Sequence, residues 1–139
     1  MLMKRIDQYR RKLEFIVDRI TILPKNVEEN IFFLDALFYR LQVSVDAAMD
    51  VVAMLCKDLG ITVKDDYSNI NELETLDTFS KEFSNELRRL NGLRNALAHR
   101  YNKIEEEQII KEKVHFVEIL KKFVSLVEVL IDERLRLSE

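Results

Sequence analysis

Scarcity narrows the possibilities for this chain before any motif does. Among 139 residues there are two glycines, one proline, one cysteine and no tryptophan. Two glycines cannot form a glycine-rich phosphate loop. So few turn formers point to a chain made of helices. A lone thiol forms no internal disulfide, and Cys56, in the apolar run Val51-Val52-Ala53-Met54-Leu55-Cys56, reads as a buried helix position. No Cys/His cluster has zinc-site spacing, so the reading requires no metal and no cofactor. No apolar run approaches the ~20 residues needed to span a bilayer. The opening residues Met1-Leu2-Met3-Lys4-Arg5 show no leader pattern. The expectation is a cytoplasmic protein with no membrane partner.

The residues that are present support a helical bundle. Hydrophobic residues make up 47% of the chain and charged residues 34%, which suits a single domain over residues 1–139 with a real core. Apolar periodicity places a first helix from Met3 to Ile22, with Ile6, Tyr9, Leu13, Ile16, Val17 and Ile20 inward and Pro24 ending it. A second helix is capped by Asn26, with Glu29 in capping-box register. It runs through Phe32, Phe33, Leu37, Leu41, Val45 and Val52 to Gly60, a left-handed residue just past its end. Residues 61–77 are irregular, with a short helix from Ile70 to Leu76 capped by Asn69 and Glu72. A helix from Thr78 to Ala98 follows, then a turn at Asn102. The last helix runs from Glu105 to Arg134, burying Ile110, Val114, Val117, Leu120, Val124, Val127 and Ile131, with His115 at the surface. Four main helices joined by short connections make an all-α, up-and-down four-helix bundle with a short extra helix.

The stretch Arg94-Asn95-Ala96-Leu97-Ala98-His99-Arg100-Tyr101 stands apart. The residues leading into it repeat apolar positions at Phe83, Leu87, Leu90, Leu93 and Leu97, a buried helical stripe. Arg94 falls at the edge of that stripe. Tyr101, seven residues on, falls almost above Arg94 if the helix continues that far. Asn95 and His99 are neighbours four residues apart. From Leu87 to Ile104 there are Arg88, Arg89, Arg94, Arg100 and Lys103 and no acid, although the whole chain carries a net charge of −3. A basic patch on an acidic protein suggests an anionic ligand at that spot. A solvated helix face is the plainer reading for the flanking arginines. Gly92 and Ala96, four apart beside His99, would let another helix approach closely. That helix could belong to a second copy or to the same chain.

An arginine beside a histidine suits phosphodiester chemistry. The arginine can hold a phosphate with two parallel hydrogen bonds and offset charge developing on it. The histidine can take a proton from a ribose 2′-hydroxyl or give one to a leaving oxygen. RNA supplies its own nucleophile, so this chemistry needs no metal.

Arg94-Asn95-x3-His99 resembles the signature of HEPN domains, and the longer Arg94-x4-His99-x-Tyr101 resembles that of the HepT toxin branch. The order of helices along the whole chain is similar too. The resemblance implies a homodimer in which two Arg/His sets face one cleft, and a metal-independent endoribonuclease with Arg94 and His99 as its catalytic pair and Asn95 in support. It further implies a toxin–antitoxin system in which an MntA-like nucleotidyltransferase antitoxin silences the toxin by transferring AMP to Tyr101. Arg100 occupies a variable position of the motif, often acidic in such proteins. A competing reading is a non-catalytic helical module that binds a nucleotidyltransferase or its substrate. Such a module has no need of His99.

Overall fold

The computed structural model describes residues 2–99 and 102–135; Arg100 and Tyr101 lie outside the described residues. Five α-helices are present: α1 (Leu2–Thr21), α2 (Ile31–Asp58), α3 (Asp66–Thr75), α4 (Lys81–Ala98) and α5 (Lys103–Leu130), the last followed by a π-helical turn at Ile131–Leu135. There is no strand among the described residues. The chain folds as two compact units, one of Met1–Ala48 with Leu120–Glu139 and one of Met49–Ile119.

In the first unit α1, the opening part of α2 and the closing part of α5 supply the core. Tyr9, Ile16, Leu37, Leu41, Phe123 and Val127 are fully buried. Each such side chain is worth about 1.5–3 kcal/mol relative to leaving it in water. Arg40 of α2 closes the end of α1: its Nε donates to the Arg19 carbonyl and its Nη2 to the Asp18 carbonyl, both at 3.0 Å. Those carbonyls have no partner inside the helix, and a cation is favoured at that end. Val17, expected inward, is 44% exposed. It lines an open cavity of about 720 Å³ with Arg10, Asp18 and Asp132.

The start of α2 differs from expectation. Asn26 accepts only a turn bond from the Glu29 N–H at 3.2 Å, whereas Asn30 Oδ1 accepts from the Phe32 N–H at 2.8 Å. Both asparagines are competent caps, and the one nearer the apolar run prevails. Phe32 is consequently 74% exposed in the first turn of α2, and Phe33 is exposed as well. The far end matches expectation. Gly60 has φ +80°, its N–H donates to the Lys57 carbonyl, and the Ile61 N–H reaches the Cys56 carbonyl at 2.8 Å, the two bonds of a Schellman motif.

The second unit holds the rest of α2 with α3, α4 and the opening part of α5. Helix α3 starts earlier than expected. Asp65 caps it, Oδ1 accepting the Ser68 N–H at 2.9 Å and Oδ2 the Ser68 hydroxyl at 2.8 Å. Those bonds hold the Asp65 carboxyl below its ordinary value. Asn69, the expected cap, is instead buried within α3 and pins the preceding loop, exchanging two hydrogen bonds with the Lys64 backbone. The stripe Phe83, Leu87, Leu90, Leu93, Leu97 is buried throughout α4, and Ser80 caps that helix through Phe83 N. In the first half of α5 the buried face is Ile109, Phe116 and Ile119, while Val114 is 62% exposed and Ile110 and Val117 are half-buried. Phe116 and Phe123 lie seven apart, and burying two aromatic rings outweighs burying the smaller valines.

Candidate active site

Helix α4 carries the site, and α3 fixes it. The two helices lie antiparallel. Near the middle of α4, Arg88 donates from Nη2 to Glu74 Oε1 and to Asn71 Oδ1, each at 2.7 Å, and from Nη1 to Asn85 Oδ1 at 2.7 Å. Toward its end, Arg94 donates from Nη1 to Asp66 Oδ2, at the start of α3, and at 3.4 Å to Asn91 Oδ1. Both ends of α3 are thus tied to one face of α4. The Arg94 and Asp66 side chains are about one-third exposed, so their pair is only partly desolvated and reaches solvent.

His99 stops α4. It has left helical geometry at φ −106°, ψ 25°, and its N–H is shared between the Asn95 and Ala96 carbonyls. Its Nδ1 sits 2.8 Å from the Asn95 carbonyl. A carbonyl oxygen can only accept, so Nδ1 carries the proton and Nε2 is the basic nitrogen. The imidazole is exposed. Asn95 therefore orients His99 through its backbone, while its amide side chain is exposed. Arg94 and His99 are five residues apart, about 7.5 Å of helix rise.

Helix α4 ends at Ala98, and Tyr101, expected almost above Arg94, lies outside the described residues. The Asn102 N–H bonds the His99 carbonyl at 2.9 Å, and Asn102 Oδ1 then caps α5 through the Ile104 N–H at 3.0 Å. The expected basic patch is reduced. Arg88 is held by Glu74, and Arg89 donates to Glu112 at 2.5 Å, with His115 Nε2 3.4 Å away. The acid-free run in the sequence is met in space by Asp66, Glu74 and Glu112 from other elements. Lys103, the first residue of α5, is exposed, and Arg100 lies outside the described residues.

Gly92 and Ala96 line a shallow groove of about 210 Å³ with Gln108, Ile109 and Phe116 of α5. Among the described residues, the one atom of another element near a Cβ placed on Gly92 would be the Tyr67 hydroxyl, at 3.7 Å. No atom of α2 comes that close. Sequence reasoning missed Asp66, Asn91 and Tyr67. Asp66 falls in the stretch read as irregular, and a partner 28 positions away leaves no local pattern.

This all-α arrangement is a HEPN-like fold. In structure the chain is similar to a Shewanella oneidensis HEPN toxin, tri-AMPylated and in complex with an MNT antitoxin. The TM-score is 0.69 at 16% identity, covering 92% of this chain and 96% of that one. It is also similar to a crystal structure of a mutant MntA–HepT toxin–antitoxin, with a TM-score of 0.71 at 15% identity, covering 92% and 97%. The family profile described as Ribonuclease HepT-like matches residues 6–127. A protein of Archaeoglobus fulgidus named "Putative RNase" is 40% identical over 124 residues, 89% of this chain and 93% of its own length. The chain belongs to the HepT-like ribonuclease family.

Proposed function

We propose that this chain is a metal-independent endoribonuclease, the toxin of a toxin–antitoxin pair, acting as a homodimer. The observation that carries the reading is the orientation of two groups at one end of α4: Arg94, anchored by Asp66, and His99, with Nδ1–H tied to the Asn95 carbonyl. Arg94 donates to the scissile phosphate and offsets its developing charge. His99 Nε2 takes the proton of the ribose 2′-hydroxyl as O2′ attacks phosphorus. The P–O5′ bond breaks, leaving a 2′,3′-cyclic phosphate and a 5′-hydroxyl, and the histidine of a second copy protonates O5′. In this reading the Asn95 amide, which is exposed, contacts the phosphate, and Lys103 and Arg100 add positive charge nearby in sequence.

The second copy is supported by the groove beside Gly92 and Ala96, where small side chains leave room at the surface. Regulation by a nucleotidyltransferase is supported by the likeness to a tri-AMPylated toxin bound to its MNT antitoxin. In that reading the Tyr101 hydroxyl attacks the α-phosphorus of ATP, and pyrophosphate leaves. The test is digestion of RNA by purified protein in excess chelator, with analysis of the new ends. Cyclic phosphate ends, absent with His99→Ala, support the proposal. Loss of cleavage in chelator, or 3′-hydroxyl ends, overturns it.

A further inference from the structure

We infer that Asp66 is a positioning residue for Arg94 and sets a trade between phosphate affinity and alignment. This rests on the ribonuclease reading above. Asp66 is the first residue of α3, held in place by the Asp65 cap behind it. Its carboxylate and the Asn91 amide oxygen both accept from the same nitrogen, Arg94 Nη1. Asn91 is buried at 8% exposure, so one acceptor is fixed by the core and the other by a helix start. Two acceptors on one nitrogen restrict the plane of the guanidinium. The same carboxylate offsets part of the charge of Arg94 at the place where phosphate must bind. Arg94 then contributes less to holding RNA in the ground state and more through donors aimed at the reacting phosphate. Binding that is not stronger in the transition state raises affinity without raising kcat, so an aligned arginine whose charge is partly offset favours turnover over affinity.

The experiment compares wild type, Asp66→Ala and Asp66→Asn on a labelled single-stranded RNA, with thermal unfolding measured on each. Asp66→Ala should lower kcat by about 10- to 100-fold, the scale of a small misalignment, with KM unchanged or lower. Asp66→Asn keeps an acceptor without the charge. It should retain most of kcat, while KM falls by a factor of about three to ten, as expected for one screened charge removed near a phosphate. A structural role alone would not divide kcat from KM in this way. Equal losses in both variants that track lowered stability overturn the inference, and so does faster cleavage by Asp66→Ala. A second readout does not depend on activity: the ¹⁵N signals of the Arg94 guanidinium. Hindered rotation should be seen in wild type and Asp66→Asn and lost in Asp66→Ala; no change in Asp66→Ala overturns the inference. If wild type shows hindered rotation but cleaves no RNA, the ribonuclease reading fails while the anchoring of Arg94 stands.

Discussion

The backbone oxygen of Asn95 lies 2.8 Å from Nδ1 of His99 and also accepts that residue's own N–H at 3.1 Å. One carbonyl thus ends the helix and selects the tautomer. His99→Ala is expected to cost about 10²–10⁴ in cleavage rate, the usual worth of a positioned acid or base. Asn95→Ala keeps the carbonyl and should cost far less, about tenfold at most, through the lost hydrogen bond of its amide. A kcat comparison of the two variants decides this. Equal losses would mean that the amide, not the backbone, orients the ring.

Arg88 should behave as a structural residue. Its guanidinium joins Asn71 and Glu74 of α3 to Asn85 of α4, and the Arg88–Glu74 side chains are under one-third exposed. Arg88→Ala leaves those acceptors without their donor and should cost about 1–2 kcal/mol. That is a drop of roughly a few degrees in Tm for a chain of this size. RNA cleavage well below the new Tm should stay near wild type. A large rise in KM with unchanged Tm would restore Arg88 to an RNA-binding patch.

How much of this was legible in the sequence follows from the range of each interaction. The α4 stripe and the Gly60 helix end are local patterns, and both stand as expected. Arg94 and His99 could be picked out because they share one helix end. The start of α2 was misplaced because Asn26 and Asn30 offer equally good caps, and only packing chooses between them. The buried face of α5 was read through Val114 because branched residues crowd adjacent positions there. Asp66, Glu74 and Glu112 were invisible as partners. Each meets its arginine from 14 to 28 residues away, where no periodicity reports it.

Cys56 should be inert in the native state. It is fully buried, its Sγ contacts the Asn69 carbonyl at 3.5 Å, and burial, helped by the Glu72 charge, pushes the thiol from its ordinary 9.0 up to about 11. Iodoacetamide at pH 8 should label it only after denaturant is added. The raised value also fixes a pH window. Unfolded thiol ionises near 9 and native thiol near 11, so the contribution is whole below pH 9 and is lost as pH rises toward 11. Denaturant titrations of wild type and Cys56→Ala across that window should differ in slope, with the wild type losing stability faster.

Tyr101 is the expected acceptor of AMP. Incubation with the cognate nucleotidyltransferase and ATP should add one or more AMP units and reduce cleavage, because the added phosphate and nucleoside compete with RNA by charge and by volume. Intact mass and peptide mapping give the site. If Tyr101→Phe is modified and silenced to the same extent, regulation lies at another residue.

Gly92 offers a test of the dimer that separates it from folding. The residue lies inside α4, and a methyl group there would meet the Tyr67 hydroxyl at 3.7 Å, an ordinary contact distance. Glycine within a helix costs about 0.5–1 kcal/mol relative to alanine through backbone entropy. Gly92→Ala should therefore stabilise the single chain by about that amount, read as a higher denaturant midpoint at concentrations where the protein is monomeric. If a second copy packs its helix against Gly92 and Ala96, the same methyl group fills the groove and weakens association. Light scattering across a dilution series should then show dissociation at higher protein concentration than for wild type. Higher stability with unchanged association would place the dimer contact on another face. Lower stability at monomeric concentrations would show that α3 packs against α4 too tightly to admit the methyl group.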